Sequence, residues 1–295
     1  MFSAGRRTPL ILLVDDDPYQ SEIASYIAYE LGCEFESATS GTEALQKVAQ
    51  RAPDVILLDV RMPDLSGYEV CRRIKTNAET SGIQIIFVTA RNDEEDLLLG
   101  FEALANDYVA KPFSARELKA RVRNALRTKE LLDALTLRTR FLELQHEIAS
   151  RLDEPLAGGD DEPQRTLAAL LDRIRAFFDA DGVTLNFRRT GRPETSLVTS
   201  TGWPGGGPPS YLAALALSDD PREERAPRLP GEAREAGVDW VVCSAPLWAG
   251  EELFGTLRLH RRGTPAVPGH SAELEHLVAL AGGMARALRR SELLG

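Results

Sequence analysis

Cysteine is scarce, with three in 295 residues. Cys33, Cys71 and Cys243 lie far apart with no CxxC spacing, so neither a disulfide framework nor a zinc site is readable. Reduced structural thiols are the expectation. Leader-length apolar runs are missing as well. Arg6 and Arg7 are followed by Leu10 to Val14, a strand-length run that ends in three aspartates. A signal peptide and a membrane span are therefore not expected, and the reading places the chain in the cytoplasm. Positive charge is in deficit: Lys plus Arg number 35 against 45 Asp plus Glu, a formal charge of −10. Duplex binding calls for a basic face, and none stands out, so nucleic acid is not expected as a direct partner. A glycine-rich loop after the first apolar run is lacking, which disfavours a dinucleotide or P-loop site.

What is present is an ordinary globular balance, 43% hydrophobic and 27% charged, in a length that suggests two domains. The front half alternates short apolar runs with helical spacing. Strand signals fall at Leu10–Val14, Cys33–Thr39, Val55–Asp59, Ile83–Val88 and Tyr108–Ala110. Helices are expected from Pro18 through Leu31, over Thr42–Arg51, Tyr68–Thr76 and Glu94–Leu104, and after Ser114, which with Glu117 forms a capping box. Continuous apolar strands alternating with helices predict a doubly wound, five-stranded parallel sheet covered on both faces.

In such a sheet, ligands sit at the carboxyl ends of the strands. Those ends carry Asp15 and Asp16, Asp59, Thr89 and Lys111. Three carboxylates on one edge repel, and a divalent cation held by oxygen ligands is the usual remedy. Mg²⁺ is favoured because it accepts one or two carboxylates and keeps waters, which leaves room for a phosphoryl oxygen. Lys111 adds a point charge able to pair with Asp59, and the Thr89 hydroxyl can donate to a phosphate oxygen.

Residues 8 to about 127 resemble the receiver domain of two-component response regulators. The resemblance rests on Val14-Asp15-Asp16-Asp17-Pro18, on Leu58-Asp59 through Met62-Pro63-Asp64 to Gly67, on Val88-Thr89-Ala90-Arg91, and on Asp107-Tyr108 through Lys111-Pro112-Phe113. It implies a flavodoxin-like fold with Asp59 as phosphoacceptor and a histidine kinase or phosphotransfer protein as donor. It also implies that Asp16 binds Mg²⁺ directly, that Asp15 acts largely through water, and that Asp59 and the Arg61 backbone carbonyl complete the shell. Thr89, Ala90 and Lys111 would hold the phosphoryl group, with Thr89 and Tyr108 as the switch pair. One departure is Leu104, where the family usually has glycine. A leucine is expected to resist a left-handed backbone there.

From Ala115 no Gly or Pro interrupts the helical pattern before Pro155. Leu135, Leu142 and Ala149 recur by sevens, as do Leu131 and, two heptads later, Gln145 and Leu152, an imperfect heptad seam. The expectation is a parallel dimeric coiled coil over 128–140, between a receiver at 1–127 and a second domain at 141–295. One long helix packed on its own chain is the competing reading. The stretch Phe141–Ile148 has a faint likeness to a histidine-kinase phosphoacceptor helix. Pro155 comes too late for that pattern and no ATP-binding domain follows, so His146 reads as a surface or seam residue.

The rear half reads as a helix to Phe178, a strand pair around Gly191-Arg192-Pro193, irregular sequence to Glu235, a hairpin across Ala249-Gly250-Glu251, and a terminal helix with a self-pairing stripe. A short helix is expected near Tyr211–Leu217. With Ala245-Pro246-Leu247 and Gly250 through Leu257, this α+β half with its antiparallel sheet resembles a GAF domain. The resemblance implies a homodimer through the linker and terminal helices, or a small-molecule ligand; Trp203, Tyr211, Trp240 and Trp248 are pocket candidates but read better as packing. Cys243 reads as a buried strand residue rather than a chromophore attachment. Taken together, the chain is expected to be a signalling switch without a separate catalytic output. The alternatives are a degenerate histidine kinase, or a ligand-sensing protein whose receiver is the regulated element.

Overall fold

The computed structural model describes residues 8–90, 104–153, 162–188, 195–200, 203, 228–235, 238–262 and 270–290. The chain divides into two compact units, Arg7–Leu137 and Arg138–Gly295. The expected helix at 94–104 and the one near 211–217 lie outside the described residues.

In the first unit, β1 (Leu10–Val14), β2 (Glu34–Ala38), β3 (Val55–Asp59), β4 (Gln84–Ala90) and β5 (Asp107–Lys111) form a parallel sheet in the order β2-β1-β3-β4-β5. Alternate residues enter opposite core layers. Leu12, Val14, Ile56, Leu58 and Phe87 pack on the layer under α2 (Gly41–Gln50) and α3 (Gly67–Thr76). Ile11, Leu13, Val55, Leu57 and Val88 pack on the other, with α1 (Pro18–Leu31) and the first turns of α4 (Ala115–Asp153). Each fully buried aliphatic side chain contributes about 1.5–3 kcal/mol, which fixes the strand faces and hence which residues stand at the strand ends.

The helix starts follow local chemistry. Asp17 caps α1 through the Tyr19 N–H ahead of Pro18, Ser40 caps α2, Ser66 caps α3, and the Ser114 hydroxyl accepts the Glu117 N–H at 3.1 Å. Leu104 overturns the expectation placed on it. It takes a left-handed backbone, φ 62°, at a strain of roughly 1–2 kcal/mol. Its side chain lies in solvent, where no packing penalises it. Asn106 holds the next residues in place: its N–H donates to the Ile85 carbonyl, and its Oδ1 accepts from the Ile85 N–H and Lys75.

The helix α4 is 39 residues long. Leu118, Val122 and Leu126 belong to the first unit's core, and Phe141, Leu144, Ile148 and Leu152 to the second's. Residues 131–140 between them are exposed on every side. Leu152, assigned by the heptad reading to an intermolecular seam, is buried in its own chain instead; Leu131, Leu135 and Leu142 remain exposed. His146 is a surface residue.

The second unit has an antiparallel sheet of β6 (Gly182–Arg188), β7 (Thr195–Thr199), β8 (Arg228–Glu235), β9 (Val238–Ala249) and β10 (Glu252–Arg262), ordered β7-β6-β10-β9-β8. The charged stretch 228–235, irregular by its sequence pattern, departs from that expectation. It is a strand on β9, and its charge and proline hid it because an edge strand needs little apolar sequence. One face packs on α5 (Glu162–Phe178), α6 (His270–Arg290) and the end of α4. Cys243 and Trp203 are buried, Trp248 is partly exposed, and Tyr211 and the Trp240 side chain lie outside the described residues.

On the other face, burial and the neighbouring Arg258 push the His260 imidazole down to about 3. Unfolding returns it to the ordinary histidine range near 6.5, so the unfolded chain binds a proton first as pH falls. Stability is therefore expected to be flat above that range and to decline from about pH 6.5 towards 3. Denaturant melts across this window should show the slope, and His260→Gln should flatten it.

Candidate functional site

Strand β1 ends into Asp15 and Asp16, β3 ends in Asp59, and β5 ends in Lys111. The register aligns these ends: Val14 pairs with Leu58, Asp59 with Val88, and Ala90 with Lys111. One oxygen from each of Asp15, Asp16 and Asp59 lies within 4.8 Å of the others. Lys111 Nζ bridges two of them, donating to Asp15 Oδ2 at 2.8 Å and to Asp59 Oδ2 at 2.9 Å. Burial alone would lower the Lys111 pKa, but the hydrogen bonds and charges of Asp15 and Asp59 outweigh it and raise it, so the ammonium stays charged.

The second oxygens are held from the backbone. Asp15 Oδ1 accepts the Asp17 N–H at 3.0 Å, and Asp59 Oδ1 accepts the Arg61 N–H at 3.1 Å. Gly67 sets the loop after β3, because a Cβ there would come within 2.3 Å of the Asp59 carbonyl oxygen. Any side chain would push α3 away from the strand end. Asp64 ties this loop to the start of α2, accepting from the Gly41 and Thr42 N–H groups at 3.0 and 2.8 Å. These bonds, that to Thr42 first, hold its carboxyl far below the usual carboxylate range. Sequence reasoning gave Asp64 only a place in the motif; its reach to the α2 N-terminus, 22 residues back, has no local signal.

Of the residues read from sequence, Asp15, Asp16, Asp59 and Lys111 form one cluster. Thr89 and Ala90 end the neighbouring strand β4. Tyr108 does not enter the cluster: it is 42% exposed, with the Arg121 guanidinium 5.9 Å above its ring. Arg121 is itself tied to Asp107 at 2.7 Å.

A doubly wound α/β domain presenting an acidic triad and a lysine at its strand ends puts a charged site where folds of this class bind their ligands. The comparisons give the particular family: residues 11–123 are a response regulator receiver domain, and residues 162–288 are a GAF domain. The chain is similar to the DNA-binding response regulator MtrA of Mycolicibacterium smegmatis, 41% identical over 120 residues, covering 41% of this chain and 51% of that protein. It is also similar to the transcriptional regulatory protein CreB of Escherichia coli, 40% identical over 151 residues, covering 50% of this chain and 65% of that protein. The chain thus spans about half to two thirds of the length of these relatives. Among solved structures, a response regulator from Chloroflexus aurantiacus is 39% identical, covering 41% of this chain and 98% of its own, at a TM-score of 0.39.

Three carboxylates against one ammonium leave the cluster with excess negative charge, and oxygen donors of this kind fit a hard divalent cation. Without divalent cation, Asp16→Asn is expected to melt higher than the wild type, because it relieves repulsion. Lys111→Met is expected to lose about 1–3 kcal/mol, because it leaves Asp15 and Asp59 facing each other without their shared donor. Thermal melts with EDTA and with added Mg²⁺ check both. Mg²⁺ should restore Lys111→Met and do little for Asp16→Asn.

Proposed function

We propose that the chain is a response regulator that accepts a phosphoryl group on Asp59 from a histidine kinase or phosphotransfer protein and passes the change to its GAF domain. The observation carrying this reading is the Lys111 ammonium, held between Asp15 and Asp59 at 2.8 and 2.9 Å beside a third carboxylate. Asp15, Asp16 and Asp59, with the Arg61 carbonyl, would hold Mg²⁺. When bound, the cation neutralises charge on the transferring phosphoryl oxygens. Asp59 supplies the attacking carboxylate oxygen: its bond to phosphorus forms as the bond from phosphorus to the donor's imidazole nitrogen breaks. The Arg61 N–H orients that carboxylate, and Lys111 places a fixed positive charge where negative charge accumulates. Thr89 on β4 offers its hydroxyl to the acquired phosphate, with Ala90 beside it and Tyr108 as the aromatic that responds.

In this reading the receiver catalyses only its own phosphorylation and dephosphorylation. Labelling with acetyl phosphate is expected in the wild type and not in Asp59→Asn, and EDTA should abolish it. Equal labelling of both proteins would remove Asp59 from the role.

The output is read as a homodimer. Among residues 131–140, all exposed, Leu131 and Leu135 form with Leu142 an apolar stripe of heptad spacing. An isolated helix segment this short gains little stability without packing, so a second copy in parallel is the partner that fits the repeat. Leu135→Glu is expected to halve the solution mass seen by light scattering while Asp59 still labels.

A further inference from the structure

Tyr108 is assigned to one face of the first sheet, and its ring is met from the other. Val88 and Val109 pair and enter one core layer with Leu118 and Val122 of α4. Their neighbours alternate to the opposite face, where Phe87 pairs with Tyr108 and Thr89 with Ala110. Register therefore puts Tyr108 on the Thr89 face. Its ring is nevertheless 42% exposed and lies against Arg121, a residue of the helix that packs on the Val109 layer. β5 ends the sheet, so a side chain can pass around its open edge.

What meets the ring is an anchored cation. One guanidinium nitrogen donates to Asp107 Oδ1 at 2.7 Å and the other to Glu117 Oε1 at 3.4 Å. Asp107 Oδ1 also accepts the Tyr108 N–H at 2.8 Å, so one carboxylate oxygen fixes both the backbone under the ring and the charge over it. Arg121 Cζ stands 5.9 Å from the ring centroid, within reach of the attraction between a guanidinium and an aromatic face. The cation is not fully satisfied in this place. Arg121 Nε is buried and has no hydrogen-bond partner among the described residues. A buried N–H left unpaired is costly, so the arrangement holds only while its other contacts outweigh that cost.

We propose that Arg121 is a latch holding Tyr108 outward: the guanidinium, anchored by Asp107 and Glu117, attracts the ring, and the ring must leave it before turning in towards Thr89. Arg121 is thus a positioning residue, which sets how readily Asp59 holds a phosphoryl group without touching that group. A ring that leaves the guanidinium gives up an attraction worth a factor of about two to five at an exposed site. By linkage, the affinity for whatever favours the inward ring is lower by the same factor. The inference deepens, and rests on, the reading of Asp59 as phosphoacceptor and of Tyr108 as the aromatic that responds.

The test titrates the full chain, in Mg²⁺, with beryllofluoride as phosphoryl mimic, and reads the affinity by calorimetry. Asp59→Asn is the control and should not bind. Arg121→Gln should bind about two- to fivefold more tightly than wild type. In a Tyr108→Leu background the same substitution should change nothing, because the ring it would release is gone. A role for Arg121 in stability alone would lower the melting temperature and leave the affinity of both backgrounds unmoved. Should Arg121→Gln not fold, Arg121→Lys takes its place in the cycle, since it keeps a charge for Asp107 and loses the planar fork. The latch is overturned by a substitution that binds no more tightly than wild type, or by a gain of equal size in Tyr108→Leu. Either result beside binding that depends on Asp59 overturns the latch alone. A wild type that binds no mimic, or binds it as Asp59→Asn does, overturns the phosphoryl reading and the latch with it.

Discussion

The first domain is organised around a charge imbalance that its own fold creates. Parallel strands deliver their carboxyl ends to one edge, and three of those side chains are carboxylates within 4.8 Å. One lysine from the last strand offsets part of the repulsion. A metal-free pocket of this kind is under electrostatic stress, because Asp15 is almost wholly buried and its charge is poorly hydrated. The stress is held in place by parts that have no charge: Gly67 against the Asp59 carbonyl, the backbone N–H groups on the second carboxylate oxygens, and the Asp64 clamp. Oxygen donors held this firmly with excess negative charge fit a divalent cation, and a site so poised responds strongly to any charge that enters it.

Much of this was legible from sequence for a physical reason. Leu10–Val14 and Val55–Leu58 are buried on both faces, so their apolar runs are unbroken and their ends are sharply marked. Asp15, Asp59 and Lys111 could therefore be placed on one edge by counting along strands. Long-range geometry was not legible. Nothing in Asp64 announces a bond to Thr42, and nothing in Leu104 announces that solvent exposure lets a leucine accept a left-handed backbone.

The second domain hid more, because its alternation is ambiguous. Thr184, Asn186, Thr256 and Arg258 alternate with apolar residues, a pattern that a solvated sheet face shows equally well. In the structure that face is closed. Periodicity gives the faces of a strand and says nothing of what covers them. The edge strand Arg228–Glu235 was missed for a related reason: its identity comes from pairing with β9, not from its own residues.

The two halves share one element, and this constrains how a signal can pass. Leu118, Val122 and Leu126 at one end of α4 are committed to the receiver core, and Phe141, Leu144, Ile148 and Leu152 at the other to the GAF core. Neither end can slide along or rotate about the helix axis without breaking close-packed contacts, which costs more than a local rearrangement at an exposed stretch. Residues 131–140 touch neither core, so they are where a change in helix pairing costs least. Under the proposed reading, a coupling carried there works in both directions by linkage: what phosphoryl acceptance at Asp59 would do to that stretch, a change imposed on that stretch would do in return to Asp59.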